Sequence, residues 1–413
     1  MSLIKPFAAL RPVAGQAAEV VAPPYDVMSR AEAKQLVVGR PHSFLHISRP
    51  EIDLPDDISP YAEAVYAQGR DNLLQMQAAG QLEQDPDDYY YVYRLTMGDH
   101  VQTGIVAVAS VAAYNADRIK KHEYTRPVKE QDRVQQINTL NAQTGPVFLV
   151  YAAQATVDAI LAETAESVPD VDVTADDSVR HQLWVIREAH TIATLTAAFE
   201  AMPALYVADG HHRSAAAARV AEARQAANPQ DSGDEPYHYF LSVIFPHDQM
   251  QILDYNRVIR DLSGLTAEAY LDRVAERFEV LPMETPVKPT ETMTYGMYLN
   301  QQWYGLRLRT AYHSAEPVAG LDISLLTEHL IEPILGISDP RRDERIDFIG
   351  GIRGLSALEQ RVDSGEWAVA FALYPVAMSA LMAVADTGEV MPPKSTWFEP
   401  KLADGLVSHL IES

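Results

Sequence analysis

Residues 209–213 place an acid, a glycine, two imidazoles and a guanidinium side by side, in the order Asp-Gly-His-His-Arg. Arg213 can form a two-pronged hydrogen bond with phosphate or carboxylate oxygens, and Asp209 can hold a metal ion or accept a proton. Gly210 permits a tight turn and lets a ligand approach the backbone closely. These residue types predict a binding site for an anion. The alternative is an ordinary helix start with Asp209 as its N-cap and surface histidines beside it.

The flanking segments indicate how this turn is held. Residues 204–208 are apolar and typical of a buried strand, whereas 214–228 are rich in Ala, Arg, Glu and Gln and contain no Gly or Pro, which predicts a helix. A strand-to-helix turn gathers free backbone N–H groups and the positive end of the helix dipole at one point. An anion is therefore expected at this turn.

A second group of polar residues lies about eighty positions earlier. Lys120, Lys121, His122 and Glu123 are followed by Lys129, Asp132 and Arg133, and this is the densest basic region of the chain. In an acidic protein few cationic side chains are available to bind an anion. We therefore expect this basic group to lie in the same cleft as the 209–213 turn. Either Glu123 or Asp209 is expected to act as the general base, with His122 beside it. The equally weighted alternative is a solvated helix face carrying i,i+4 pairs.

Two double prolines stiffen loops that carry further candidates. Pro23-Pro24 precedes Tyr25 and Asp26, which we expect to contact substrate together with Arg133, and Asp26 is a second candidate metal ligand.

Pro392-Pro393 precedes Lys394, Ser395 and Thr396. Ammonium and hydroxyl groups on a stiff loop suit phosphate contact, because less entropy is lost when such a loop is ordered on a ligand. We expect this loop to close over the nucleotide site. The alternative is a surface lysine in a proline-rich turn.

Composition excludes several classes of protein. The 413 residues include no cysteine, which excludes disulfides, thiolate nucleophiles and cysteine-ligated zinc. The formal charge of −24 disfavours nucleic acid and anionic membranes as partners. Neither a signal pattern nor an apolar run long enough for a membrane span is evident, so a soluble, cytoplasmic protein is expected. A homodimer is left open.

The pattern of elements predicts a mixed α/β fold of sheets flanked by helices. Three regions are expected: 1–150, 151–264 with the Asp-Gly-His-His-Arg turn, and 265–413 with the second Pro-Pro loop. The site should lie at the carboxyl ends of the central strands. Residues 43–47 and 251–259 are each predicted to be a strand, 321–334 a helix, and 89–95 with 103–111 a hairpin.

Five ordered motifs carry a resemblance to a known family. They are Ala22-Pro23-Pro24-Tyr25-Asp26-Val27, Ser43-Phe44-Leu45-His46, His122-Glu123-Tyr124-Thr125, Ala208 to Arg213 and Met391 to Thr396. Together they resemble the bacterial and archaeal family labelled domain of unknown function 1015. That label implies no activity.

The Asp-Gly-His-His-Arg turn also resembles the phosphate-contacting motif of the ParB/sulfiredoxin superfamily, which includes kinases of free serine. This resemblance implies that Gly210, His211, His212 and Arg213 contact nucleotide phosphates. The cysteine of sulfiredoxin is absent, so that chemistry is excluded, and DNA-clamp behaviour fits poorly with the negative charge.

The residues and the resemblance together predict a phosphotransferase that uses Mg²⁺ and ATP or ADP. Its acceptor would be a small hydroxylated metabolite, with free L-serine as one candidate. Phosphoryl transfer needs anion donors, a metal-binding carboxylate and a base near the hydroxyl, and the chain offers each. Two alternatives remain: a metal-dependent hydrolase that uses the His pair, and a non-catalytic sensor of a nucleotide or metabolite.

Overall fold

The computed structural model describes residues 2–411. Its strands are β1 Ile4–Lys5, β2 Leu10–Pro12, β3 Leu82–Gln84, β4 Tyr90–Met97, β5 His100–Ser110, β6 Ile119–Lys120, β7 Ala142–Gln143, β8 Val147–Tyr151, β9 Val171–Thr174, β10 Arg180–Ile186, β11 Leu205–Asp209, β12 Tyr239–Pro246, β13 Gln251–Leu253, β14 Tyr255–Ile259, β15 Phe278–Met283, β16 Thr294–Leu299, β17 Gln302–Leu308, β18 Ile346–Gly350, β19 Val369–Ala372, β20 Trp397–Glu399 and β21 His409–Leu410. Its helices are α1 Ala17–Val20, α2 Arg30–Leu36, α3 Leu45–Ser48, α4 Glu63–Ala78, α5 Val111–Asn115, α6 Pro127–Leu140, α7 Ala155–Thr164, α8 Ala189–Glu200, α9 His211–Ala227, α10 Ala267–Arg277, α11 Asp322–Leu326, α12 Glu332–Leu335, α13 Ser356–Asp363 and α14 Met378–Thr387. Mixed sheets with helices confirm the predicted α/β class.

The chain forms two compact units rather than three consecutive regions. The first unit contains the chain up to Met250 together with the segment from Pro400 onward, and the second is Gln251–Glu399. A division after residue 150 would separate β8 from its partners β11 and β12, which lie in the same sheet. The C-terminal segment likewise returns to the first unit, where β21 pairs with β7.

A nine-stranded mixed sheet organises the first unit. Eight strands follow the order β6-β11-β8-β12-β5-β4-β10-β9. The ninth strand, β1, pairs with the last residues of β5, which lie beyond those that pair with β4. The predicted hairpin is present as β4 and β5. Where β5 meets β12, Gly104 allows close packing, because a side chain there would lie 2.6 Å from the Ile244 carbonyl oxygen.

Helix α9 packs on this sheet through small residues on one face. Ala216, Ala217, Val220 and Ala221 recur at helical spacing and belong to the main buried core. The small side chains let the helix axis lie close to the sheet, and this fixes the position of the helix start relative to the strand ends.

The second unit has its own six-stranded antiparallel sheet, in the order β15-β17-β16-β19-β14-β18. A separate ribbon joins β13 to β20. Helix α13 and the rings of Trp303 and Trp367 contribute to the core on this sheet.

Two predicted elements are wrong, and a third is helical as predicted but irregular. Residues 43–47 contain helix α3 rather than a strand, because Phe44, Leu45 and Ile47 are all buried and their spacing suits one helical turn. The strand predicted at 251–259 is two strands, since the carbonyl of Asp254 accepts a hydrogen bond from Gly351 and breaks the ladder. The helix predicted at 321–334 is α11 and α12 joined by a π-helical turn, consistent with Pro333, which lacks an N–H and crowds the preceding turn.

Candidate functional site

The Asp-Gly-His-His-Arg turn joins β11 directly to α9. Gly210 is the residue before the helix and has φ 98°, so the Asp209 side chain does not cap the helix. A β-bulge lies just before it, since the register with β8 shifts between Val207 and Asp209. Because β8 runs antiparallel to β11, the carboxyl end of β11 lies beside the amino end of β8. The turn thus follows the carboxyl end of β11 and also adjoins the amino end of β8.

Arg213 is the central cation of this turn. Its guanidinium is nearly buried, and Nη1 donates to the carbonyl oxygen of Pro146, just before β8. Nη2 lies 3.9 Å from Asp26 Oδ2 and 3.8 Å from Asp209 Oδ1. Burial alone would lower the pKa of Arg213, but these carboxylates raise it above its ordinary value. The guanidinium therefore stays charged and is fixed between two loops and a strand end.

Asp209 is held ionised by two cations. Lys401 Nζ lies 3.3 Å from Asp209 Oδ2, and Arg213 faces the other oxygen. Burial would raise the pKa of Asp209, yet Lys401 and Arg213 outweigh it and hold the pKa well below its usual range. About a third of the side chain remains exposed. A carboxylate of this kind is a weak base and is better suited to bind a cation.

The structure brings His122 against the turn. The rings of His122 and His211 meet edge to face with centroids 4.4 Å apart, and the backbone N–H of His122 donates to His211 Nε2 over 3.4 Å. Because Nε2 accepts, the proton of neutral His211 resides on Nδ1, which lies 3.9 Å from Glu123 Oε2. Glu123 is half exposed, so it can reach both the imidazole and solvent.

The histidines of this cluster are neutral at pH 7. Burial lowers the pKa of His122 to about 4 and lowers that of His211 well below its ordinary value. Burial and the charge of Arg126 also lower the pKa of His212, whose Nε2 accepts the Arg126 backbone N–H over 2.9 Å. At neutral pH these imidazoles are dipoles rather than cations, so the charge offered to an anion comes from Arg213 and Lys401.

The predicted substrate residues lie close to Arg213. The Arg133 guanidinium stacks over the Tyr25 ring at 4.1 Å, and its Nε and Nη2 both donate to Asp132 Oδ2, at 3.0 and 2.7 Å. Burial raises the pKa of Tyr25 to about 12, so its phenol keeps its proton. Asp26 adjoins Tyr25, is partly exposed, and faces Arg213. Tyr25, Asp26 and Arg133 thus lie in one cluster with the turn.

Sequence reasoning did not place Lys401 beside Asp209, and it missed Asp404. Asp404 is almost fully buried, and neither carboxylate oxygen has a hydrogen-bond partner of normal geometry among residues 2–411. Burial raises the pKa of Asp404 to about 7, although Arg213 opposes the shift. One signal was present: Ala403-Asp404-Gly405 repeats the Ala208-Asp209-Gly210 pattern, and both glycines have positive φ.

Lys394, Ser395 and Thr396 belong to the second unit. There the carbonyl oxygen of Lys394 accepts a hydrogen bond from Arg257 Nη2 over 2.8 Å, and its ammonium lies 5.5 Å from the centre of the Tyr255 ring. Ser395 Oγ donates to Pro392 O over 2.6 Å, which tightens the loop. Lys394 has φ 59°, a conformation that costs a non-glycine residue free energy. Their role in nucleotide binding stays a prediction.

One group of three side chains in the described part of the chain has metal-ligand spacing, and it lies away from the turn. Its members are Asp231, Glu235 and His238, whose ligand atoms lie within 4.8 Å of one another. Their hydrogen bonds satisfy one another: His238 Nε2 lies 2.6 Å from Asp231 Oδ1, and Glu235 accepts backbone N–H groups of its own turn. This network explains the cluster without a metal ion.

The buried histidines predict acid destabilisation of the first unit. In the folded state the pKa values of His122, His181 and His409 are each about 4, against about 6.5 in the unfolded chain. The unfolded state therefore binds more protons between pH 6.5 and 4, and each histidine should remove about 1.4 kcal/mol of stability per pH unit as the pH falls through that window. Asp404 has the opposite effect, because its raised pKa means that the folded state takes up its proton before the unfolded state does as the pH falls. It is one group against three histidines.

Urea midpoints at pH 7.5, 5.5 and 4.5 measure this effect. The slope should be smaller in His181→Gln, in which the accepting nitrogen for the Tyr93 hydroxyl is replaced by an amide. A midpoint that is the same at pH 7.5, 5.5 and 4.5 would contradict the prediction.

The first unit is thus an α/β structure that presents a buried arginine and several carboxylates at a strand-to-helix turn. The chain belongs to the family described as Protein of unknown function (DUF1015), whose model matches residues 4–324. The matched residues include the Pro-Pro-Tyr-Asp and Asp-Gly-His-His-Arg motifs and end before the second Pro-Pro loop. The likeness of the turn to the ParB/sulfiredoxin superfamily stays a prediction.

Several solved structures resemble the chain at 12% identity. A conserved hypothetical protein from Pyrococcus furiosus is matched over 73% of this chain and 94% of that chain, with a TM-score of 0.35. A free serine kinase in complex with AMP is matched over 73% and 92%, with a TM-score of 0.35. C-terminally truncated SbnI from Staphylococcus aureus is matched over 72% and 85%, with a TM-score of 0.36. These are distant similarities, and the family assignment rests on the family model alone.

A search of curated proteins gave no match. Within residues 2–411, no helix has both the length and the apolar character needed to cross a bilayer.

Proposed function

We propose that the protein is a nucleotide-dependent phosphotransferase whose acceptor is a small hydroxylated metabolite. The observation that carries this proposal is the placement of Arg213. A permanently charged guanidinium follows a positive-φ glycine at a helix start, with two partly exposed carboxylates within 4 Å. This arrangement offers a cation and backbone donors for phosphate, and anions for a metal, at one point.

Asp26 and Asp209 are the proposed ligands of Mg²⁺. Mg²⁺ is commonly held by one or two carboxylates together with substrate phosphates, so two carboxylates beside a phosphate site fit this ion. The low pKa of Asp209 supports the choice, because a metal ligand must be deprotonated. When bound, the ion would neutralise charge on the transferred phosphoryl group.

Glu123 is the proposed general base, in preference to Asp209. Asp209 is held ionised by Lys401 and Arg213 and therefore has little affinity for a proton. Glu123 is half exposed and faces the Nδ1–H side of neutral His211, which can orient it. His122 then acts as a positioning residue through its edge-to-face contact with His211.

The first test is direct. Purified protein is incubated with ATP or ADP, Mg²⁺ and a panel of amino acids and polyols that includes L-serine, and phosphorylated products are identified by mass spectrometry. A product that requires both nucleotide and Mg²⁺ supports the proposal. Nucleotide binding without any product favours a sensor, and release of phosphate from the nucleotide without transfer to an acceptor favours a metal-dependent hydrolase.

The hydrolase alternative is weakened by the local geometry. Nε2 of His211 and Nε2 of His212 each accept a backbone N–H, so neither Nε2 is available as a metal ligand in this conformation. In addition, the metal-spaced cluster described above includes neither residue.

Lys394, Ser395 and Thr396 are further proposed nucleotide contacts. Replacing Lys394 by Met keeps the aliphatic stem and removes the charge. We expect turnover to fall about tenfold or more while the melting temperature is unchanged, since one charge-assisted contact is lost. Lys288→Met, in the same unit, is the control. Turnover and nucleotide affinity equal to those of the parent would show that the Pro-Pro loop is ordinary surface.

A further inference from the structure

A small polar cavity lies beneath the turn. Its volume is about 30 Å³, and its polar lining includes Tyr25, Ser48, Arg133, Gln136, Arg213 and Asp404. This is room for two or three water-sized groups, which is the size of one polar end of a metabolite. The cavity lies within the first unit, between the loop that carries Tyr25, helix α6 and the C-terminal segment.

Among residues 2–411, three lining residues have buried polar atoms that form no hydrogen bond of normal geometry. They are both carboxylate oxygens of Asp404, Nε of Arg213 and Oγ of Ser48. Buried polar atoms are nearly always paired in folded proteins, and an unpaired buried carboxylate is especially costly. Their convergence on one cavity indicates a ligand with one group that donates hydrogen bonds to Asp404 and a separate group that accepts one from Arg213 Nε.

The charges around the cavity identify the sign of that group. The charge of Arg133 is balanced by Asp132, whose Oδ2 accepts two hydrogen bonds from the guanidinium. Arg213 is shared between Asp26 and Asp209, and Lys401 also pairs with Asp209.

Three cations thus face three carboxylates before Asp404 is counted. Asp404 is the fourth carboxylate and forms no ion pair within 4 Å among the described residues, so its ionised form leaves this network of side chains one negative charge in excess. An ammonium group supplies both the missing charge and up to three donors.

We propose that this cavity binds the primary ammonium group of a small ligand, with Asp404 as its counter-ion and Ser48 Oγ as a further acceptor. The inference rests on the proposed function where it names the acceptor: a hydroxylated metabolite that also carries an amino group. The raised pKa of Asp404 agrees with this assignment, because a carboxylate that lacks its cationic partner in a buried place favours the protonated form.

Calorimetric titration without nucleotide tests the proposal with matched ligands. L-Serine is compared with glycerate, and ethanolamine with ethylene glycol. In each pair the first ligand carries an ammonium group where the second carries a hydroxyl, and the other polar groups are the same. The parent protein should bind at least one amine about ten- to a hundredfold more tightly than its amine-free counterpart. Asp404→Asn, which keeps the size of the side chain and removes the charge, should abolish that preference.

The control variant is Asp57→Asn, which changes an exposed carboxylate and should keep the preference. The melting temperature of Asp404→Asn should equal or exceed that of the parent, because an unpaired buried charge has been removed. Failure of every amine to bind the parent, or an equal preference in parent and Asp404→Asn, overturns the assignment.

The outcomes also separate the two proposals. Amine binding without phosphoryl transfer to any acceptor would contradict the proposed function and leave this site in place. Phosphorylation confined to amine-free acceptors would contradict this site and leave the proposed function in place.

Discussion

Arg213→Ala is expected to lower nucleotide affinity about ten- to a hundredfold, which corresponds to the loss of a charge-assisted contact of about 1.5–3 kcal/mol. In the folded protein this guanidinium also separates Asp26 from Asp209 and bonds the Pro146 carbonyl. Its removal leaves two carboxylates facing each other with Lys401 as their remaining cation. The variant should therefore also be less stable, and affinity must be measured at a temperature where circular dichroism shows it folded.

Arg219→Ala is the matched control for this prediction. Arg219 lies on the same helix α9 and pairs with Glu130 at 3.0 Å on a half-exposed face. Exposed pairs contribute little, so nucleotide affinity and stability should be nearly those of the parent. Calorimetric titration with ATP and ADP measures the nucleotide affinities of the parent and of both variants. Equal affinities in Arg213→Ala and the parent would remove the turn from the nucleotide site.

Gly405→Ala is expected to destabilise the first unit by about 2–5 kcal/mol, since two costs add. Gly405 has φ 88°, where alanine is strained by about 1–2 kcal/mol. A methyl group there would lie 2.7 Å from Cβ and Cγ of Phe44, which is fully buried, and overpacking of this kind costs about 1–3 kcal/mol. The free energy of unfolding is measured by urea denaturation of the full chain, with hydrogen exchange identifying the unit that opens.

Gly15→Ala separates the two costs. Gly15 has φ 84° and no atom within 4 Å of an added methyl group, so its variant should show the backbone cost alone. If Gly405→Ala were no less stable than Gly15→Ala, the contact with Phe44 would not be a constraint. If the prediction holds, the neighbouring Asp404 should also be displaced, and the ammonium preference of the cavity should weaken.

The sequence alone was sufficient for features that depend on neighbouring residues. The β4–β5 hairpin and the helix that follows Gly210 are present as predicted, and the capping box of Ser29 with Glu32 likewise depends on residues close together in the chain. Each depends on local backbone preferences, on side chains three or four residues apart, or on apolar periodicity, all of which are readable in a single sequence. The mixed α/β class and the family membership were likewise accessible from ordered motifs.

Only the tertiary structure decided which residues share the site. The amino end of β8 lies beside the carboxyl end of β11 because the two strands pair antiparallel, and strand direction is not encoded in local pattern. The return of the C-terminal segment places Lys401 3.3 Å from Asp209 although 192 residues separate them.

The charge states of buried side chains were likewise decided by the tertiary structure. The sequence does not define the charge of the two histidines of the motif, whereas their surroundings in the fold lower the pKa of each and keep them neutral at pH 7. Desolvation depends on everything packed around a side chain, so charge state in a core is a property of the fold rather than of the motif.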